Sequence, residues 1–284
     1  MSKSNTQLKY INGLKGFACF MVMLGHFIGI YKYSESFPAA SKFLNLFDTF
    51  LGSKLNFIID ETFWVILFFF VSGYLVSFSK IPDLKTFIFK SFSRFLRLGL
   101  PIFFACAIIF VIQKTFGFYN SETLNIFECT FIQNPYLNDF SLWQVIRSPI
   151  DVLFLNKTYF CSPYWVLREM FITSLIIYLF SLLKSKTPPT LFVALWGIAL
   201  FSSMFISNVV FAGLLGMTLN FVQIDNDKLF VENKLFLFFA LAFSLSLFVI
   251  PRNRIASIFF GALILTVPKI KLFDAFFHQV RLSS

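Results

Sequence analysis

Residues 62–79 read TFWVILFFFVSGYLVSFS, a run without a single charged side chain. The run lies between Asp60 and Glu61 on one side and Lys80 on the other. A helix of this length rises ~27 Å, close to the ~30 Å thickness of the hydrocarbon core of a bilayer. The stretch therefore predicts a membrane-spanning helix. Its small residues Ser72 and Gly73 would let a neighbouring helix approach closely.

The rest of the chain has the same character. Of its 284 residues, 57% are hydrophobic and 13% are charged, and the apolar residues, including 45 phenylalanines, come in blocks. This pattern predicts an all-α, polytopic transmembrane bundle formed as one domain over residues 1–284. We find no metal-ligand spacing, and we expect no bound cofactor. The net charge of +10 is explained by membrane topology and attraction to anionic lipid rather than by nucleic acid.

The charge-free blocks predict about eight spans. The uncharged run Thr187 to Ile224 is too long for one crossing, so it is divided by a turn near Ser207 and Asn208. The predicted spans are 16–31, 62–79, 98–113, 164–183, two within the divided run, 235–250 and 255–267.

Charges in the connections predict the orientation. Lysines precede the first span, and the connection from 80 to 97 carries five basic residues against Asp83 alone, so both should be cytoplasmic. The connections 32–61 and 114–163 mix signs and are predicted to be outside, whereas Arg252 and Arg254 contradict this order after residue 225. We expect an N-terminus in the cytoplasm, a first span kept as a signal anchor, and a bacterial inner membrane.

Lys15 lies just before the first span, at its cytoplasmic end, and His26 lies about halfway along the span. At ~100° per residue they return to within ~20° of the same helix face, while the rise separates them by ~16 Å. His26 is therefore predicted to lie about halfway across the bilayer. A titratable group there is costly in lipid and indicates function. A neutral imidazole that bonds a neighbouring helix explains His26 as well.

Arg94 and Arg97 open the third span on one side of a helical turn, at the same predicted membrane face as Lys15. Several cations there could hold a polyphosphate. The competing interpretation is that these arginines only set the topology.

These segments resemble the acyltransferase-3 family of integral-membrane acyltransferases. NGLKGFACFMVMLGHF (12–27) is similar to the family's first span, and FFFVSGYLVS (68–77) resembles its Phe-Phe-Val-x-Ser-Gly-Phe/Tyr segment with one residue missing. RFLRLGLPIFF (94–104) looks like its Arg-x-x-Arg-Leu-x-x-Pro. SPYWVLREMFITSLIIY (162–178) resembles its Trp-x-Leu-x-x-Glu segment, and VVFAGLLGMTLNFV (209–222) matches a glycine helix more weakly. The order and spacing over residues 8–222 make the resemblance specific.

The chain departs from the family in several further places. Lys15 stands where arginine is usual, which keeps the charge but loses the planar fork, and Asn12 stands where aspartate is common. Glu169 comes one position early. The family's closing helix, Gly-x-x-Ser-Tyr-x-x-Tyr-Leu-x-His, is not found before the end FFHQVRLSS.

The resemblance implies transfer of an acyl group, commonly acetyl, from cytoplasmic acyl-CoA to a sugar hydroxyl of a surface polysaccharide, lipopolysaccharide or lipid-linked glycan. His26 would act as general base or transient acyl acceptor, and Glu169 would orient it. Donor binding is assigned to Lys15, Ser72, Arg94 and Arg97, and acceptor binding to Asp60, Glu61 and Trp165.

Several alternatives remain open. Glu169 could simply pair with Arg168, and two acids at a helix start, Asp60 and Glu61, are favoured there in any case. Aromatic residues in 114–163, among them Trp143, could stack on a glycan or anchor the interface. Cys129 and Cys161 could form a disulfide. The protein as a whole could instead be a transporter or flippase of lipid-linked sugars, or a non-catalytic relative of the enzyme, and its oligomeric state is left open.

Overall fold

The computed structural model describes residues 3–32, 42, 45–46, 60–117, 140–158, 160–224, 242 and 254–266. These residues form α-helices and one short 3₁₀ helix, Ser162–Tyr164, and the described part contains no strand. The fold is therefore all-helical, as predicted. The α-helices are α1 Lys3–Lys32, α2 Glu61–Ser77, α3 Leu84–Thr115, α4 Leu142–Leu153, α5 Trp165–Lys184, α6 Pro189–Ile206, α7 Asn208–Ile224 and α8 Arg254–Thr266.

Most predicted spans coincide with a helix. The turn that divides the uncharged run falls at Ser207, between α6 and α7, as predicted. The last predicted span corresponds to α8, and span 235–250 lies outside the described residues except for residue 242. By length and composition, α3, α5 and α6 can cross a membrane, whereas α2, Gly13–Ile28 of α1 and Asn208–Asn220 of α7 are apolar but shorter.

The chain divides into two compact units. The first contains α1 up to His26, α2, α6 from Ile198, α7 and α8. The second contains α3, α4, α5 and α6 up to Gly197. Each unit has its own buried side chains, for example Phe63 in the first and Phe160 in the second.

Contact between α2 and α7 forms the centre of the first unit. Both helices carry glycine where they meet: a Cβ atom on Gly73 would collide with the carbonyl oxygen of Gly213, and one on Gly216 would collide with the carbonyl oxygen of Phe70. The backbones therefore touch directly, which is the packing that small residues allow between helices in lipid. The predicted role of Gly73 in close helix approach is confirmed.

A chain of hydrogen bonds joins the same two helices one turn further on. The amide of Asn220 donates to the hydroxyl of Ser77 over 2.7 Å, and this hydroxyl donates to the carbonyl oxygen of Tyr74 over 2.6 Å. Gly213 meets Gly73 and Asn220 meets Ser77, so α2 and α7 run in the same direction. Two parallel helices have an even number of membrane crossings between their starts, in agreement with the predicted order of spans.

The second unit is built on α3, which packs against α4 and α5. Asp83 caps the start of α3 by accepting a 2.7 Å hydrogen bond from the Thr86 N–H. This bond, a second one from the Thr86 side chain and the nearby Lys186 and Lys85 hold the pKa of Asp83 below its usual range, so the cap stays ionised. The helix begins at Leu84, fourteen positions before predicted span 98–113. The basic connection before that span is thus mostly helical.

Replacing Gly73 by alanine should lower the thermal unfolding temperature in detergent, because the added methyl group forces α2 away from the backbone of α7. We expect a loss of about 1–3 kcal/mol in unfolding free energy, the usual cost of overpacking. Gly197→Ala is the matched control, since no described atom outside its own turn lies within 4 Å of a Cβ placed there. Equal unfolding temperatures for the two variants would contradict the proposed backbone contact.

Candidate functional site

Helix α4 packs along α3 and runs antiparallel to it, from the end of α3 towards its start. At its start, the N–H of Phe140 donates to the side-chain oxygen of Gln113 near the end of α3. Midway, Ser148 bonds Cys106, and at its end the ring of Phe154 lies 5.9 Å from that of Phe95. From Gln113 back to Phe95 the axis of α3 falls ~27 Å. Helix α4 itself is ~18 Å long, and with the flanking Phe140 and Phe154 it lies along most of this stretch of α3.

The chain then turns back. Asn156 adopts a positive φ of 54°, a conformation that asparagine tolerates at the end of a helix, and the N–H of Lys157 donates to the carbonyl of Asp151. By Tyr164, whose hydroxyl lies 4.0 Å from the sulfur of Cys106, the chain has climbed ~16 Å along α3. We call residues 140–164 the α4 hairpin. The prediction that 114–163 is an outer connection is therefore incomplete, because part of it folds along α3.

Helix α5 descends from the end of this hairpin. Its Phe171 ring packs 6.3 Å from Phe95 and 5.3 Å from Phe154, and further on Tyr178 interacts electrostatically with Arg94. Lys186, just beyond α5, interacts with Asp83 at the start of α3. Helices α4 and α5 therefore both run antiparallel to α3, and the irregular segment between them lies along α3 between the levels of Phe95 and Cys106.

The α5 stripe that faces α3 and α4 contains one charged residue. Tyr164, Arg168, Phe171 and Tyr178 follow the spacing of a single helix face, and Arg168 lies between the contacts of Tyr164 and Phe171. Its guanidinium donates to the carboxylate of Glu169 over 2.9 Å, and 29% of the arginine side chain and 16% of the glutamate side chain are exposed. The structure thus shows the pairing of Glu169 with Arg168, and the role of Glu169 in orienting His26 stays a prediction.

The two predicted donor-site arginines differ in environment. Arg94 is half-buried, and its Nε atom is buried with no hydrogen-bond partner in the part of the chain that the structure describes. Arg97 is exposed. Trp165, the predicted acceptor residue at the start of α5, is 41% exposed. These three residues and Glu169 belong to the second unit.

The other predicted site residues belong to the first unit. Helix α1 is continuous from Lys3 to Lys32, so Lys15 and His26 lie on one helix as expected, and both are half-buried. The Lys15 ammonium group lies 4.9 Å from the ring centroid of Phe68 on α2, and Phe17 packs edge-on against Trp64. Lys15 is therefore positioned by an aromatic face as well as by its own helix.

Three predicted residues lie on α2 or at its start. The carboxylate of Asp60 accepts a 2.9 Å hydrogen bond from the Thr62 N–H and caps the helix, and Glu61 follows in the first turn. This agrees with the alternative that acids are favoured at a helix start. Ser72, one turn beyond Phe68, is 6% exposed, and its hydroxyl finds no hydrogen-bond partner among the described residues.

Metal-binding side chains, the cysteines and the α4 segment complete the description of the chain. No group of three metal-binding side chains occurs within the described ranges. Cys161 carries a free thiol, and Cys129, the other half of the possible disulfide, lies outside the described residues. The sequence analysis missed α4, although a capping box, Ser141 with Gln144, marks its start. It also treated Arg168 only as a partner of Glu169.

Long apolar helices that carry charged residues within them define this chain as an integral membrane protein. A model of the acyltransferase-3 family, described as an acyltransferase domain, matches residues 8–278. Because the match covers nearly all of the 284 residues, the chain belongs to the acyltransferase-3 family. No curated protein and no solved structure matches the chain. The family match extends past the motifs of residues 8–222 and includes α8.

The depth of the α4 hairpin can be measured with single cysteines in a variant that lacks the natural ones. A cysteine at Ser141 should react with a bulky, membrane-impermeant maleimide added from one side. A cysteine at Asn156, ~20 Å deeper along α3, should resist that reagent from the same side and react with a small thiosulfonate. Equal maleimide labelling at both positions would show that the hairpin is a surface loop.

Proposed function

We propose that this protein transfers an acyl group, commonly acetyl, from acyl-CoA to a sugar hydroxyl of a surface polysaccharide, lipopolysaccharide or lipid-linked glycan. The observation that carries the proposal is the family match over residues 8–278. The titratable His26 in α1 and the cations of α1 and α3 supply the chemistry that such a transfer needs. We propose a bacterial inner membrane, with the N-terminus in the cytoplasm.

His26 is the proposed base. A neutral imidazole can take the proton of the acceptor hydroxyl as its oxygen attacks the thioester carbonyl, and can return it to the departing thiolate of CoA. Alternatively, the imidazole accepts the acyl group first and passes it to the sugar. In both routes one acyl–sulfur bond breaks, one acyl–oxygen bond forms, and the proton ends on the CoA sulfur.

Lys15, Arg94 and Arg97 are the proposed donor-binding cations. Arginine and lysine side chains recognise phosphate through charge-assisted hydrogen bonds, and CoA carries several phosphate groups. The shielded Nε of Arg94 supports this role, because a buried donor without a partner is costly unless a ligand satisfies it. Ser72, with its buried hydroxyl close in sequence to Phe68 and hence to Lys15, is assigned to the same donor.

The acceptor sugar is assigned to the opposite end of α2. Asp60 and Glu61 at its start offer carboxylate oxygens to sugar hydroxyls, and the exposed ring of Trp165 offers an apolar face. Asp60 also caps the helix, so its replacement affects folding as well as binding.

His26→Ala should abolish transfer while leaving insertion and folding intact, because alanine enters a membrane helix more easily than histidine. The purified variant in detergent, given labelled acetyl-CoA and candidate glycans, should lose about 10²–10⁴-fold in rate. Wild-type protein that labels no glycan would contradict the proposed function. A variant that keeps more than about a tenth of the wild-type rate would contradict the role of His26 alone.

Neutralising Lys15, Arg94 or Arg97 should raise KM for acyl-CoA more than it lowers kcat, because the phosphates lie far from the reacting carbonyl. Lys15→Arg should keep or improve binding, since arginine retains the charge and adds a bidentate fork. Lys114→Gln at the far end of α3 is the control. If the cations serve topology only, KM will be unchanged and cysteine labelling will show misoriented protein.

A further inference from the structure

Arg168 occupies a position inside the second unit that packing does not explain. It lies one turn beyond Tyr164, which contacts Cys106, and one turn before Phe171, which packs against Phe95 and Phe154. Its surroundings along α5 are therefore mostly apolar and aromatic. A charged side chain at the depth of membrane helices is costly and marks a functional site by default.

The hydrogen bonding of Arg168 is incomplete. Its NH1 atom donates to Glu169, whereas its Nε atom is buried and meets no acceptor in the residues that the structure describes. Leaving a buried donor unsatisfied costs free energy that the ion pair alone does not recover. Glu169 therefore orients the guanidinium without using up its donors, and an anionic or carbonyl oxygen would complete the set.

The α4 hairpin ends beside this arginine. The turn that follows α4 is exposed at Asn156 and Lys157. The Arg168 side chain is itself 29% exposed, so a ligand can reach the guanidinium from the surface of the unit.

Arg94 on α3 is a second cationic residue beside α5, because it interacts electrostatically with Tyr178. From the contacts of Tyr164 and Phe171, Arg168 is level with the region of Leu100, roughly 10 Å along the helix axis from Arg94. A CoA molecule whose phosphates bind Arg94 and Arg97 can place its thioester at Arg168, because the pantetheine arm is long enough to cover that separation.

We infer that Arg168 binds the carbonyl oxygen of the donor thioester and stabilises the oxyanion that forms on it, with Glu169 as the residue that positions the guanidinium. When the acceptor oxygen bonds to the carbonyl carbon, the electron pair of the C=O bond moves to the oxygen. The N–H groups of Arg168 donate to this oxyanion until it collapses and expels the CoA thiolate, which takes the proton held by the base. The inference rests on the proposed acyl transfer.

The test compares Arg168→Gln and Arg168→Lys with Arg147→Gln, which breaks another arginine–carboxylate pair among the described residues, Arg147 with Asp151. Three quantities are measured for each purified protein: kcat with labelled acetyl-CoA and glycan, the dissociation constant of CoA without an acyl group, and the unfolding temperature. We expect Arg168→Gln to lower kcat by about 10²–10³-fold. Its dissociation constant for CoA should stay within about threefold of the wild-type value, because CoA without an acyl group has no thioester carbonyl for Arg168 to bind.

Arg168→Lys should recover part of the rate, and Glu169→Gln should lower kcat less than Arg168→Gln does, since the arginine remains. Arg147→Gln should leave kcat within about threefold. A folded Arg168→Gln protein with more than a tenth of the wild-type kcat would overturn the inference, as would a parallel loss of CoA affinity, which would make Arg168 a phosphate ligand. Wild-type protein without transfer activity would overturn the proposed function, and this inference with it.

Discussion

A polar group inside a bilayer must find its partner inside the protein, because lipid offers neither donors nor acceptors. This constraint accounts for the polar contacts of both units. Asn220 is satisfied by Ser77, Phe140 donates its N–H to Gln113, and Arg168 pairs with Glu169. Among the described residues, Ser72, Arg94 and Arg168 each have a buried polar atom without such a partner, and these are residues that we propose to bind substrate.

The glycine contact between α2 and α7 serves this constraint. Without side chains at Gly73 and Gly216 the two backbones lie close enough for a short side chain such as Asn220 to reach Ser77. A wider separation would leave the amide of Asn220, only 2% exposed, without its acceptor. Close backbone packing and satisfied polar groups therefore depend on each other in the first unit. The same helix carries Phe68, which contacts Lys15, so the glycine contact also supports a predicted site residue.

Hydropathy predicted the helices well where charges mark their ends. The turn at Ser207 was predictable because an uncharged run has a limited length per crossing. The α4 hairpin was not predictable in this way. Arg147 and Asp151 make it look like a solvent-exposed loop, yet their pairing, with Asp151 almost fully buried, lets the helix lie against α3. Hydropathy also counts crossings and carries no information on which segments lie side by side, so neither the depth of Asn156 nor the surroundings of Arg168 follow from it.

Stability alone does not explain a charged pair at Arg168 and Glu169. Two apolar side chains of similar volume would fill the same space without the cost of desolvating two charges, and such replacements are often neutral or stabilising. The pair becomes useful once an oxygen carrying negative charge has to be held nearby, because a half-buried guanidinium acts in a low dielectric where its attraction is strong. Glu169 then has two effects. It offsets part of the cost of desolvating the Arg168 charge, and it fixes the direction in which the remaining N–H groups of the guanidinium point. Because Arg168 and Glu169 are neighbours on one helix, their ion pair joins no two helices, and the unpartnered Nε of Arg168 suits the pair to binding a substrate oxygen.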